Sequence, residues 1–174
     1  MKSMFSIQSL ISLAIKPNLG TNFLSQTAWT ILRVVIGLAM VHNGLDKLGN
    51  IEGFAKAYVE YIGLPFPVFL SYVAAYTELI GGPLLAIGLL ARPAATGLFF
   101  AMCVAMYHHI KLGGFSIAGY ELALLYAVSY LFFVINGAGL FSVDSLIGGW
   151  LDSQATALKE EEELEVEAAY QTTR

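Results

Sequence analysis

Four apolar segments, each about long enough to cross a lipid bilayer, constrain the fold of this chain more than any other feature. They cover residues 26–48, 68–90, 93–111 and 120–136. A helix needs about 20 apolar residues to cross the hydrocarbon core, where every backbone N–H and C=O must find a partner inside the protein. Because short connections require antiparallel neighbours, the sequence predicts an all-α, polytopic membrane protein with an antiparallel four-helix transmembrane bundle.

The composition supports this prediction. Hydrophobic residues make up 57% of the 174 residues and charged residues 13%, whereas a soluble domain has roughly 45–50% apolar and about 25% charged residues. A soluble core of this size could not bury so many apolar side chains, because small domains have too much surface. The net charge of −4 and the absence of a basic patch exclude nucleic acid as a partner. The predicted partner is the lipid bilayer.

The chain divides into three predicted regions. Residues 1–22 form an amphipathic segment that lies in the membrane interface, because their polar and apolar side chains fall on opposite helical faces. Residues 23–151 form the four-helix domain, with a long loop at 49–67 and a short interfacial helix that begins near Ser142. Residues 152–174 form an acidic, disordered tail, because like charges at 159–167 repel one another. Lysine and arginine positions favour a cytoplasmic location for both termini.

Ionisable residues inside the apolar segments are candidate functional residues, because a membrane makes them costly. Arg33 shares a helical face with Gly37, and Glu78 shares one with Gly82; small residues let helices approach closely. Depth estimated at about 1.5 Å per residue places the Arg33 and Glu78 side chains within reach of each other. The sequence therefore predicts a buried Arg33–Glu78 pair, which either fixes the helix register or takes part in catalysis or ion handling.

A second polar cluster is predicted near the other membrane surface, on the non-cytoplasmic side. It contains His108, His109, Glu121, His42, Asn43 and Lys47. Such a set could bind a metal, relay protons or bind a quinone head group, and it could also be ordinary interfacial polarity. Adjacent histidines point about 100° apart on a helix, so no metal site is predicted. Cys103 is the single cysteine, which excludes an internal disulfide.

The order of several segments resembles the DoxX family of small bacterial membrane proteins. The segments are LRVVIGLAMVHNGLDKL, YTELIGGPLLAIGLLARPAA, FAMCVAMYHH, GYELALLYAVSYLFF and GAGLFSVDSL, which together extend over about residues 26–147. The resemblance implies a four-helix membrane fold in the bacterial inner (plasma) membrane. It also implies that the family's characteristic polar and glycine positions are present here, at Arg33, Gly44, Lys47, Glu78, Gly82, His108 and Glu121.

Relatives in that family include subunits associated with membrane redox complexes, so the resemblance implies a redox-linked role. We expect an accessory membrane subunit of a quinone-associated complex, with a membrane or peripheral oxidoreductase subunit as its partner. The alternatives are a stand-alone membrane oxidoreductase using Glu78, His108 and Glu121, and a small transporter with Arg33 and Glu78 at the midplane. The sequence favours the first, because it contains no redox cysteine pair, nucleotide-binding fingerprint or firm metal motif. No cofactor is evident, although a quinone fits the polar clusters.

Overall fold

The computed structural model describes residues 22–172, and this part of the chain contains six α-helices and one π-helical segment. The helices are α1 (Phe23–Gly49), α2 (Ile51–Phe54), α3 (Pro67–Ile87), α4 (Ala91–Gly113), α5 (Ile117–Asn136) and α6 (Val143–Thr172). The π-helical segment Ala55–Glu60 continues α2. The predicted all-α class is therefore confirmed for the described residues. The predicted interfacial segment 1–22 lies, except for its last residue, outside them.

Three of the described helices are long and apolar enough to cross a bilayer: α1, α3 and α5. Helix α4 has 23 residues, and His108 and His109 near its end make it less apolar than the other three. Many large apolar side chains on the outer faces of these helices are exposed, among them Ile31, Val35, Ile80, Leu125 and Ile135. Exposed apolar surface of this extent is typical of a protein surrounded by lipid.

The helices pack in a defined order: α1 against α3, α3 against α4, and α4 against α5. Helices α1 and α3 approach each other closely, because glycines face each other there. A Cβ atom added at Gly82 would lie 2.5 Å from the carbonyl oxygen of Gly37, and one added at Gly44 would lie 2.8 Å from that of Ala75. Both helices were predicted to pack along these small residues, and the structure confirms that contact.

Each helix end has a local cause. Asn22 accepts a hydrogen bond from the N–H of Leu24 at 3.0 Å and caps α1, and Pro67 occupies the first turn of α3, where its missing N–H is harmless. Helix α3 ends at Gly88, whose φ of 71° lies in the left-handed region. An added Cβ at Gly88 would lie 2.6 Å from Nη1 of Arg33, so this turn requires glycine for space as well as for conformation.

The segment 49–67 was predicted to be a loop, and most of it is helical. The side chain of Asn50 accepts a hydrogen bond from the N–H of Gly53 at 3.1 Å, which starts α2. Ala55 and Val59 are buried in the π-helical segment that follows, and this segment packs against α3. Glycines and prolines in the sequence suggested an irregular loop, but burial of one apolar face stabilises a helix here.

Helix α6 starts where a short interfacial helix was predicted, since the N–H of Ser145 donates to the hydroxyl of Ser142 at 3.1 Å. It then continues to Thr172, through the described part of the region that was predicted to be an acidic, disordered tail. Alanine, leucine, glutamate and lysine, the common residues here, all have high helix propensity, which offsets the repulsion between their charges. The large apolar side chains Leu158 and Leu164 remain exposed.

The described side chains of α6 beyond residue 153 are exposed, and this supports a prediction about stability. Truncation after Ser153 should leave membrane insertion and the thermal unfolding temperature unchanged, because the removed side chains that are described bury no apolar surface. Thermal unfolding of the full and truncated chains in the same detergent measures this. A clearly lower unfolding temperature for the truncated chain would show that the end of α6 packs against the rest of the protein.

Candidate functional site

Arg33 lies in a cluster of polar groups that joins the ends of three helices. Its guanidinium group donates from Nε to the carbonyl of Ala86 at 3.2 Å, from Nη1 to the carbonyl of Ala138, and from Nη2 to the carbonyl of Phe141 at 2.7 Å. The residue is 2% exposed. Its N–H donors satisfy one carbonyl in the last turn of α3, at Ala86, and two in the connection between α5 and α6, at Ala138 and Phe141. Arg33 therefore fixes the end of α3 to the connection between α5 and α6.

Asp144 completes this cluster, and the sequence interpretation missed its role. Its carboxylate accepts hydrogen bonds from the N–H groups of Leu90 at 2.8 Å and Ala91 at 2.9 Å, so it caps α4 from a distant position in the chain. Burial raises the pKa of this carboxyl above its ordinary value, while the two N–H donors and nearby Arg33 counteract that rise. In the sequence, Asp144 was visible only as a residue in the first turn of the short helix predicted to begin near Ser142.

The predicted Arg33–Glu78 pair is not formed. Glu78, which is 2% exposed, instead pairs with Lys47 at a distance of 2.5 Å between Oε2 and Nζ. The side chain of Lys47 is 17% exposed, and its ammonium lies 5.3 Å from the centre of the Phe54 ring. Depth estimates could not distinguish Lys47 from Arg33 as the partner of Glu78. They also could not show that Arg33 contacts a connection far along the chain.

His108 occupies an aromatic environment at the end of α4. Its ring centre lies 4.5 Å from that of Tyr58 and 5.5 Å from that of Tyr61, and its Nε2 is 3.2 Å from the carbonyl oxygen of Ala57. Because a carbonyl only accepts, Nε2 carries the proton in that contact. Nδ1 is buried without a hydrogen-bond partner among the described residues. Glu121, by contrast, is exposed and does not line the cavity described next.

A cavity of about 770 Å³ brings most of the second predicted cluster together. Glu78, Lys47, Asn43 and His108 line it, with the rings of Phe54, Tyr58 and Tyr126 among its walls. Volumes of about 300–1,000 Å³ are typical of small-molecule sites, which are mostly apolar with a few polar groups. In the described part of the chain, no three His, Cys, Asp or Glu side chains are grouped to hold a metal ion. The volume of the cavity and its mostly apolar walls suit a small organic molecule.

The Lys47–Glu78 contact predicts a measurable coupling. Lys47→Met and Glu78→Gln should each destabilise the protein, because each leaves one buried group without its partner; in soluble proteins that costs about 3–5 kcal/mol. A membrane softens this figure, since water defects reach buried charges. The double variant should recover much of the loss in a thermal unfolding series. Losses that simply add would show that the two side chains do not interact.

Comparison with known proteins identifies the family. The family model for DoxX matches residues 28–110. An uncharacterized protein of Haemophilus influenzae is 42% identical over 119 residues, which cover 66% of this chain and 86% of that protein. The chain belongs to the DoxX family. The match includes the candidate residues Arg33, Lys47, Glu78 and His108. The resemblance predicted from the sequence extended further, to residue 147, so Glu121 lies within that resemblance but outside the match.

Two further relatives of this chain have names that describe a property of the protein. The Bacillus subtilis protein named "Putative oxidoreductase CatD" is 30% identical over 118 residues, covering 67% of this chain and 84% of that protein. An uncharacterized membrane protein of Mycobacterium tuberculosis is 26% identical over 127 residues, covering 65% of this chain and 77% of that protein. No solved structure matches the chain. Family membership together with the apolar helices makes this chain a multi-pass membrane protein.

Proposed function

We propose that this DoxX protein is an accessory membrane subunit of a redox-linked complex and that its cavity binds the head group of a membrane quinone. The observation that carries the proposal is the Lys47–Glu78 ion pair, which lies in the wall of a largely apolar cavity. An ion pair that is costly to bury is a functional-site hypothesis by default. It offers a donor and an acceptor side by side, and together these two groups carry no net charge.

The chemistry of the cavity fits a quinone and its reduced form. The Lys47 ammonium can donate to a quinone carbonyl, and the Glu78 carboxylate can accept from a quinol hydroxyl. Phe54, Tyr58 and Tyr126 provide aromatic surface against which a planar ring can stack. Nδ1 of His108 has a free lone pair when Nε2 carries the proton, so this nitrogen can accept a hydrogen bond.

The accessory role follows from what the described residues supply. The cavity can position a head group and exchange a proton with it, and in this proposal the electrons come from a donor that a partner subunit holds. The Bacillus subtilis relative carries the word oxidoreductase in its name, which supports a redox context for the family. We therefore propose a membrane or peripheral oxidoreductase subunit as the partner.

One alternative retains structural support. A stand-alone membrane oxidoreductase would use Glu78 and His108, and both line the same cavity; Glu121, the third residue of that hypothesis, is exposed and does not line it. The transporter alternative depended on an Arg33–Glu78 pair at the midplane, and the hydrogen bonds of Arg33 to three carbonyls replace that pair. The accessory subunit is the function we propose.

We also propose that α4 is a fourth transmembrane helix, which completes an antiparallel four-helix bundle in the inner membrane. Its 23 residues extend over about 34 Å at 1.5 Å per residue, enough to cross a hydrocarbon core of about 30 Å. It packs against α3 on one side and α5 on the other, and both of these helices are apolar enough to span.

Four spans place both termini on the same side of the membrane, and we propose that this side is the cytoplasm, which the lysine and arginine positions favour. Reporter fusions after Gln171 and within the segment around Lys56 should report opposite sides of the membrane, because an odd number of spans separates the two positions when α3, α4 and α5 all cross. A reporter whose activity depends on its compartment measures this in cells. Signals from the same side for both fusions would exclude the four-span arrangement.

The quinone site is tested by equilibrium binding to the purified full chain in detergent. A quinone should bind saturably, and Glu78→Gln should weaken binding at least about tenfold, the effect of one lost charged hydrogen bond of about 1.5–3 kcal/mol. Glu121→Gln is the matched control, since Glu121 does not line the cavity, and it should bind as the wild type does. Phe54→Leu removes an aromatic wall while leaving the ion pair intact, and it should also weaken binding. Absence of saturable binding to the wild type would contradict the proposal.

The accessory role has a separate test. Affinity purification of the tagged chain from native membranes, followed by mass spectrometry, should yield an oxidoreductase subunit in stoichiometric amount. If the purified chain by itself turns over quinone with a soluble electron donor, the protein is a stand-alone oxidoreductase and the accessory role is wrong.

A further inference from the structure

Residues 51–62, which we call the lid, lie over one end of the cavity. The lid comprises α2, the π-helical segment and the two residues that follow it. The lid residues that line the cavity are Gly53, Phe54, Tyr58, Val59 and Ile62. Because the lid follows directly after the end of α1, where Lys47 lies, it covers the end of the cavity that contains the Lys47–Glu78 ion pair.

A row of aromatic rings extends along the lid from α1 to α4. The centre of the Phe54 ring lies 5.3 Å from Nζ of Lys47 and 4.6 Å from the centre of the Tyr58 ring, on which it stacks. The Tyr58 ring in turn lies 4.5 Å from the ring of His108. Glu78, the partner of Lys47, is 2% exposed. The row of rings therefore shields the ion pair on the side of the lid.

Two side chains near the end of α4 hold the lid in this position. Nε2 of His108 donates to the carbonyl of Ala57 at 3.2 Å, and Nζ of Lys111 donates to the carbonyl of Tyr61 at 3.0 Å. Lys111 is exposed, so water competes for its hydrogen bond and the net stabilisation is small. Nδ1 of His108 is buried with no partner in the described part of the chain, which costs free energy while the lid covers it. The polar contacts therefore hold the lid only weakly.

The lid lies between two non-helical joints. Asn50, with φ −150° and ψ 70°, separates it from α1, and Gly63, with φ 85° and no atom within 4 Å of an added Cβ, follows its end. A few such residues at the ends of an element can absorb the dihedral changes of a moving segment. Opening would expose the buried side chains of Ala55, Val59 and Ile62, so the closed position is the more populated one.

We propose that the lid opens about the joints at Asn50 and Gly63 and admits a ligand head group to the buried ion pair. The contacts of the lid with His108 and Lys111 determine how often it opens. The admission of a ligand rests on the quinone site proposed above, whereas the motion of the lid does not depend on the identity of the ligand. The two parts are therefore tested by separate measurements.

Distances between two spin labels test the motion in the full chain, reconstituted in a lipid bilayer without quinone. One label replaces Lys56 on the lid and the other replaces Glu121 at the start of α5; both residues are exposed, and Cys103→Ser removes the native thiol. We expect a major shorter distance and a minor longer one. Lys111→Met should increase the minor population roughly twofold or more, the effect of one lost hydrogen bond.

A second variant weakens the lid through its rings. Tyr58→Ala removes the ring contacts with Phe54 and His108, and it should also increase the population at the longer distance. Tyr72→Ala is the matched control, because Tyr72 lies on α3 and both tyrosines are 41% exposed. The control should leave the distances unchanged.

Two further controls separate the lid from the bundle. Lys159→Met replaces an exposed lysine of α6 and should not change the lid distances. Labels at His42 on α1 and Glu121 on α5 do not include the lid, so their distance should stay the same in Lys111→Met. A single lid distance that neither Lys111→Met nor Tyr58→Ala changes would overturn the inference. An equal change in the His42–Glu121 distance would also overturn it.

Access of a ligand is measured by the association rate of a benzoquinone without a tail. Lys111 does not line the cavity, so Lys111→Met should accelerate association in proportion to the rise in the open population. An unchanged association rate, together with a larger open population, would contradict the role of the lid in admission. If the lid distances change as expected and the benzoquinone does not bind the wild type, the quinone site is wrong and the motion of the lid is confirmed.

Discussion

Arg33→Met is expected to lower the thermal unfolding temperature of the protein in detergent more than any other single change of an ionisable residue. The substitution removes the donors to the carbonyls of Ala86, Ala138 and Phe141 and leaves these acceptors in a buried region. Hydrogen bonds to charged groups contribute about 1.5–3 kcal/mol each, so we expect a loss on the order of 3 kcal/mol or more. Thermal unfolding monitored by circular dichroism measures it.

Arg92→Met is the matched control. Arg92 is half-buried and donates to the carbonyl of Ile135 at 3.3 Å, whereas Arg33 is 2% exposed, so replacement of Arg92 should cost clearly less. Combining Arg33→Met with Glu78→Gln should give additive losses, because the two side chains share no partner. Recovery of stability in that double variant would show that Arg33 and Glu78 interact after all.

Gly82→Val is expected to separate α1 from α3 and to cause the largest loss of stability among the glycine substitutions. The new Cβ would lie 2.5 Å from the carbonyl oxygen of Gly37 and 3.1 Å from Cβ of Met40. The oxygen of Gly37 is a backbone atom, so the clash can be relieved only if a whole helix moves. Overpacking of a close-packed interior typically costs about 1–3 kcal/mol, and a clash with backbone should reach the upper end of that range.

The comparison variant for Gly82→Val is Gly149→Val, where no atom lies within 4 Å of the added Cβ. It should fold and unfold as the wild type does. Yield of monodisperse protein and unfolding temperature, measured for both variants in one detergent, decide the outcome. A Gly82→Val protein as stable as the Gly149→Val protein would contradict the close α1–α3 contact.

The elements that depend on local periodicity could be predicted from the sequence. Helices α1, α3, α4 and α5 begin and end within a few residues of the predicted segments, because apolar length determines them. The inward positions of Arg33, Gly37 and Gly44 on α1 were also predicted correctly. Small residues and rare polar residues on one face of an apolar helix indicate that this face packs against the protein, since the opposite face contacts lipid.

What depends on distant parts of the chain could not be predicted. Two of the three carbonyls that Arg33 contacts lie in the connection between α5 and α6, and Asp144 caps α4 from beyond that connection. A backbone carbonyl has no sequence signature, so the estimate of depth in the membrane led to Glu78 as the predicted partner of Arg33. Glu121 illustrates the same limit: its position at the start of α5 was correct, but its orientation away from the cavity depends on how α5 packs.

Photochemical crosslinking tests the quinone site most directly. The full chain, reconstituted in a lipid bilayer, is irradiated with a quinone whose ring carries a photoreactive group, and the labelled residues are identified by mass spectrometry. The account predicts labels on the cavity walls at Phe54, Tyr58 or Tyr126, suppressed by excess unlabelled quinone and lost in Glu78→Gln. Labels spread over the exposed apolar face of α5, at residues such as Leu125 and Ile135, and unaffected by competition would contradict it.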